Sequence, residues 1–207
     1  MRQSFALVAA AALFALPVLA QDQMQPWFGF LQRLDFAAPA GFKPVYQTQD
    51  GGTYLLELIP EAESTEDWTT RITMTGSAGF VTSVGEDATR TYAKLFSDDF
   101  RKTCPYSYSA YALDAPPVSG AVKVFAAQFS CGDVPGRAQS ESMLVLVLAG
   151  SKDIFSVHWA ERAASWKGRH GYDASIWDSR LDTLLASARL SCDPVSGTEP
   201  DPECVDN

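Results

Sequence analysis

Residues 140–161 read SESMLVLVLAGSKDIFSVHWAE. Two largely apolar runs, Ser140–Ala149 and Asp153–Glu161, flank the short link Gly150-Ser151-Lys152. Runs of this length, rich in β-branched and aromatic residues and broken by a glycine-containing turn, predict a β-hairpin. Alternation sets Phe155, Val157 and Trp159 on one face of the second strand, and Ser156, His158 and Ala160 on the other.

Upstream, Tyr106–Ala112 and Ala121–Cys131 are also strand-like, joined by the turn-rich stretch from Leu113 to Gly120. Together the four runs predict an antiparallel meander. Before them, Glu86–Thr103 predicts an amphipathic helix with Ala88, Tyr92, Leu95, Phe96 and Phe100 on one face. Thr53–Ile59 (TYLLELI) is apolar on both faces and pairs with Leu34–Gln47 across Asp50-Gly51-Gly52. Pro60 ends that strand, and Ser64-Thr65-Glu66-Asp67 predicts a capped helical turn. Thr69–Thr75 is a further strand, ended by Gly76 and Gly79. A closing helix carries Ile176, Trp177, Leu181, Leu184, Leu185 and Ala188 on one face. Antiparallel strands punctuated by two such helices predict an α+β sandwich, an antiparallel sheet flanked by helices.

The domain limits follow. Residues 1–20, MRQSFALVAAAALFALPVLA, have the basic start, apolar stretch and small-residue end of a secretory signal peptide cleaved after Ala20. Residues 21–33 form an N-terminal arm with Trp27, Phe28 and Phe30, which caps the core. Residues 34–192 are the single α+β domain, and 193–207 an acidic, proline-containing tail. No later run is long and apolar enough to span a membrane. The only asparagine is Asn207, so no glycosylation acceptor exists, and the alanine-rich bias suits a bacterial periplasmic or secreted protein.

The 207 residues carry 25 acidic against 16 basic side chains, for a net charge of −9. That balance argues against nucleic-acid binding and against docking by charge on anionic lipid. Four cysteines, Cys104, Cys131, Cys192 and Cys204, fit an oxidising compartment and admit three pairings. Antiparallel pairing about the 113–120 turn sets Cys104 almost opposite Cys131, which leaves Cys192 for Cys204. No spacing suits a zinc knuckle or a redox Cys-x-x-Cys motif.

Catalytic signatures are missing: there is no Gly-x-Ser-x-Gly, Ser-x-x-Lys, His-Glu-x-x-His, Walker loop or dinucleotide fingerprint. His158 with a nearby carboxylate is the candidate acid/base pair for a hydrolase. His170 lies in a basic loop suited to an anion. Glu57, Glu61, Glu63, Glu66 and Asp67 form an acidic corner around Pro60. Tyr106, Tyr108 and Tyr111, interleaved with serines, are amphipathic side chains that, with His158, make the candidate ligand-binding surface. Neither a metal site nor a cofactor is expected.

The order of elements resembles the fold shared by the Mog1, PsbP and DcrB proteins, with Phe36-Ala37-Ala38-Pro39-Ala40-Gly41-Phe42 as its opening segment. The stretches Glu57-Leu58-Ile59-Pro60-Glu61 and Glu66-Asp67-Trp68 are similar to a motif of small exported proteobacterial proteins of unknown function. The resemblance implies an accessory or binding protein with an envelope protein or small ligand as partner. DcrB carries a lipid-attachment cysteine, which this chain lacks. The expected function is therefore a non-catalytic exported accessory or binding protein, with a small-ligand-binding protein and a His158 hydrolase as alternatives.

Overall fold

The computed structural model describes residues 29–192 and Cys204. The predicted signal peptide, Trp27, Phe28 and most of the acidic tail lie outside the described residues.

Seven strands form one antiparallel sheet. They are β2 (Phe42–Asp50), β3 (Thr53–Pro60), β4 (Thr70–Ser77), β5 (Tyr108–Leu113), β6 (Lys123–Cys131), β7 (Gln139–Ala149) and β8 (Ile154–Ala164), in the order β2-β3-β4-β8-β7-β6-β5. The hairpin of 140–161 is its centre: β7 and β8 pair from Gln139↔Ala164 to Ala149↔Ile154. Leu144, Leu146 and Leu148 face one side of the sheet, and Met143, Val145 and Val147 the other, and all are buried. Each such side chain contributes about 1.5–3 kcal/mol on burial, so this doubly covered strand anchors two cores.

One face carries α1 (Phe80–Val84) and α2 (Ala88–Thr103). Ala88, Tyr92 and Ala93 pack there with Ile59, Trp68, Phe129 and Val145. The other face is covered by α3 (Ala174–Ser187) and by a two-stranded ribbon, β1 (Arg33–Phe36) with β9 (Ala188–Ser191). Trp177, Leu181 and Leu184 of the helix join Leu34, Phe36, Leu190 and the Leu144–Leu148 row. Phe30 tilts onto Phe155, with ring centroids 5.5 Å apart, and so closes the upper end of this core. The class is α+β, an antiparallel sheet flanked by helices.

Several expectations shift. The helix starts at Ala88 rather than Glu86, and Leu95 is 51% exposed, because the buried arc runs through Tyr92, Phe96 and Phe100. Gly76 lies inside β4, opposite Phe155, rather than ending it. The Ser64 side chain does accept from the Asp67 N–H, at 3.2 Å, but no helix follows that turn. In β3, Tyr54, Leu56 and Leu58 are buried on one face, while Leu55 and Glu57 on the other are only half-buried. Leu34–Gln47 divides into β1, which leaves the main sheet, and β2, which pairs with β3 across Gly51-Gly52.

Both disulfides form, Cys104–Cys131 and Cys192–Cys204, with Cα separations of 5.4 and 5.8 Å. The first is not a cross-strand pair. Tyr108 stands opposite Cys131, while Cys104 is the C-terminal cap of α2, its N–H donating to the Phe100 carbonyl at 2.9 Å. The β5–β6 connection is asymmetric because it leaves the sheet to pack Val118 into the core. There the Leu190 N–H of β9 donates to the Ser119 carbonyl at 2.9 Å.

Candidate functional site

The two faces of the sheet each hold a polar assembly. On the α2 face, alternation along β4 and β8 aims Thr75, Ser156 and His158 at the helix. His158 Nε2 lies 2.7 Å from Ser156 Oγ, Ser156 Oγ 2.6 Å from Thr75 Oγ1, and Thr75 Oγ1 2.9 Å from Tyr92 Oη. The edge of Phe96 packs on the imidazole, with ring centroids 4.4 Å apart. His158 is 4% exposed and Ser156 is fully buried. Burial, with a smaller contribution from the charge of Arg71, pushes the His158 pKa down to about 3. Burial likewise raises the Tyr92 phenol. A neutral imidazole on a serine hydroxyl is half of a nucleophile pair. Among the described residues, however, His158 has no carboxylate partner, and α2 lies across the hydroxyl chain.

The three candidate tyrosines point to different places. Tyr106 sits in the turn before β5 and is 89% exposed. Tyr108 points to the α2 face, its hydroxyl 2.6 Å from Ser97 Oγ. Tyr111 points to the opposite face, where its hydroxyl donates to the His170 carbonyl at 2.9 Å and its ring meets Tyr172. The His170 ring stacks on Trp166 at 4.6 Å.

The acidic corner is dispersed. Glu57 pairs with Arg71 at 3.0 Å, Glu63 accepts the Thr69 N–H at 2.7 Å, and Glu61, Glu66 and Asp67 are exposed. Arg71 and Arg162 instead clasp the buried Trp68 ring, with guanidinium carbons 4.4 and 3.6 Å from its centroid. Beside them runs a hollow of about 320 Å³ lined by Asp67, Trp68, Thr69, Gln139 and Arg162. No group of three or more side chains suited to a metal ion occurs among the described residues. Nor is any helix among them long and apolar enough to cross a membrane.

The second polar assembly lies on the α3 face and is invisible in any single segment. The register aligns Ser109 with Ser130, Ser130 with Ser142, and Ser142 with Glu161, across four adjacent strands. Ser130 and Ser142 hydroxyls are 2.8 Å apart, and the Gln128 amide donates to Ser130 Oγ. Glu161 accepts from Arg180 of α3 and from the Trp159 indole, each at 2.8 Å. The connection 165–173 crosses the end of this row. The Trp166 N–H donates to the Gly132 carbonyl at 2.7 Å. A Cβ at Gly132 would lie 2.3 Å from Trp166 Nε1, so only glycine admits the indole there. Ser109 Oγ and Trp166 Nε1 are both buried and unpartnered. The sequence signal lies in serines at inward positions near strand ends, at 109, 130 and 142.

Comparison with known proteins adds little to this geometry. No protein-family model matches the chain, and no curated protein sequence matches it. Among solved structures the chain is similar to LpqN of Mycobacterium tuberculosis, described as involved in cell envelope biogenesis. The identity is 7% and the TM-score 0.37, covering 77% of this chain and 84% of that one.

Proposed function

We propose that this chain is an exported accessory or binding protein that acts without catalysis in an oxidising envelope compartment. The observation that carries this reading is the closure of the His158 chain. Its imidazole and its neighbouring hydroxyl are spent on each other beneath α2, where no substrate has a path to them. All four cysteines are joined in pairs, which suits a periplasmic or secreted protein and leaves no thiol for chemistry. The same reading takes residues 1–20 as the export signal and the Mog1, PsbP and DcrB resemblance as a shared architecture.

The test is photo-crosslinking in the native envelope. A crosslinking residue is placed at exposed Tyr106, then independently at exposed Tyr46 on the edge strand. The expected result is one envelope species, the same by mass spectrometry in repeated preparations, captured from at least one position. Hydrolytic turnover on an ester or amide panel that disappears in Ser156→Ala would overturn the proposal in favour of the hydrolase.

A further inference from the structure

The row Ser109–Ser130–Ser142–Glu161 holds three short hydroxyl side chains, and Ser140 and Ala163 beyond it, towards the strand ends, are short as well. The next row along the strands is Tyr111, Gln128, Leu144 and Trp159, all long side chains. Three adjacent serines beside such neighbours form a trough across the sheet. With strands about 4.8 Å apart, its outer serines are about 10 Å from one another.

Its polar groups are under-used. Ser109 is 7% exposed, shares the face of Ser130, and has no partner for its hydroxyl. Trp166 Nε1, a donor only, is likewise unpartnered. Buried polar atoms are ordinarily satisfied, so two orphans at one trough ask for a ligand or water. The one charge in the row is already met: Glu161 holds Arg180, whose guanidinium also lies 5.0 Å from the Trp159 ring centroid. An ionic ligand would have to break that pair. The rim is aromatic, with Tyr111 against Tyr172 and Trp166 against His170. Hydroxyl and amide floor, aromatic walls and a floor whose one charge is already paired suit a neutral polyhydroxylated molecule, whose ring offers hydroxyls at its edge and C–H groups at its faces; the cations of the roof, Lys167 and Arg169, are exposed.

The roof is a loop rather than a helix. Between Ser165 and Tyr172 it contains Gly168, at φ 77°, and Gly171. Its hydrogen bonds to the sheet are Trp166 N–H to Gly132 and Tyr111 to the His170 carbonyl. Tyr172, at its end, packs on the edge of the α3-face core, so the part free to lift is the stretch from Trp166 to Gly171.

We propose that the serine trough beneath loop 165–172 is a binding site for a neutral saccharide, with Trp166 as its movable lid. This rests on the reading of the chain as a binding protein and names the chemistry of its ligand.

The test uses the oxidised full-length mature protein and isothermal titration with chitotriose and cellotriose. A neutral Gly-Ser peptide serves as the control for general polar binding. Saturable binding of at least one saccharide, and none of the peptide, is expected. Ser109→Ala should weaken the saccharide about tenfold, the loss of one hydrogen bond. It should leave the melting temperature unchanged or raised, because the hydroxyl it removes has no partner in the free protein. Trp166→Ala should weaken binding at least as much. Absence of saccharide binding, equal binding of the peptide, or identical affinities in both variants would overturn the inference and leave the envelope-partner reading standing. Recovery of the saccharide in cleaved form would instead keep the site and refute the non-catalytic reading.

Discussion

Protonating His158 should unlock the α2 face. The imidazole is neutral in the folded protein because burial disfavours its charge, and its pKa is pushed down to about 3. In the unfolded chain the same group titrates near 6.5. Below about pH 6.5 the unfolded state therefore binds a proton that the folded state refuses, and stability rises with pH across this window. The contribution is fully present above pH 6.5 and is lost progressively as pH falls towards 3. Between pH 7 and pH 4 the loss from this one group is about 3 kcal/mol. With a urea slope of about 2 kcal/mol per molar for a domain of this size, that shifts the midpoint by about 1.5 M.

Carboxylates also titrate in this range, so the measurement is a difference between proteins. Urea unfolding is followed at pH 7 and pH 4 for the parent, His158→Phe and His158→Gln. Phenylalanine extends the contact with Phe96, and glutamine keeps a partner for Ser156. At pH 7 both variants should be less stable than the parent. At pH 4 the gap should shrink or reverse by about 3 kcal/mol. A gap that stays constant within about 0.5 kcal/mol would show that His158 reaches water in the folded state, and the sealed hydroxyl chain would be wrong. As a direct check, the His158 ring proton signals should not titrate above pH 4 in the parent.

Three further outcomes follow from the packing. Replacing Cys104 and Cys131 by serine opens a loop of 27 residues, for which the chain-entropy estimate is about 3.5 kcal/mol, or about 7–14 °C in melting temperature; a calorimetric loss under about 1 kcal/mol would mean that the bridge does not constrain the unfolded chain. Asp153→Ala strips the acceptors from the Leu31 and Gly79 N–H groups, now held at 2.6 and 2.7 Å, and should cost about 2–3 kcal/mol while hydrogen exchange accelerates at those two amides first. Gly120→Ala places a Cβ 2.0 Å from the Leu190 carbonyl oxygen at φ 76°, so denaturant unfolding should reveal a loss above about 2 kcal/mol; a neutral result would refute the close approach of the 114–122 connection to β9.

What the sequence displays is local, and what it hides is registration. The hairpin of 140–161 is legible because both strands are long and their link contains glycine, and the closing helix because Trp177, Leu181 and Leu184 share one face. Symmetric pairing about the 113–120 turn points to Cys104–Cys131 through a register that the structure does not adopt. Equal spacing about a turn assumes that every turn residue lies between the strands, whereas Val118 and Gly120 are drawn down onto the core and β9. Leu95 illustrates a second limit: an apolar residue at a helical offset looks like core until the width of the sheet beneath is known. Alternation sets His158 on the correct face of β8, but the partners that decide its role, Thr75 and Tyr92, come from β4 and α2. The serine row is hidden in the sequence for the same reason. Ser109, Ser130 and Ser142 are unremarkable singly and become a row only once three strand registers are fixed.

Those two polar assemblies are built from similar side chains, and their covers set them apart. Opening the His158 chain means lifting Tyr92 and Phe96, which pack through α2 into a core of Val145, Phe129 and Ile154, and several large side chains at about 1.5–3 kcal/mol each exceed what a bound small molecule returns. Every hydroxyl in that chain also has a partner already, so a ligand would gain nothing there that the fold does not supply. Over the serine trough both conditions reverse. The cover is a glycine-containing loop held by two hydrogen bonds, each contributing about 1 kcal/mol net, and anchored at its end by Tyr172 on Tyr111 and the core edge. Ser109 Oγ beneath it and Trp166 Nε1 within it are unsatisfied, so a ligand that lifts the loop can pair both atoms. By this balance the buried histidine chain acts in stability and the trough in recognition. Ser109→Ala and the His158 variants separate the two roles: the first should change binding without loss of stability, and the second should change the pH dependence of stability without changing saccharide affinity at neutral pH.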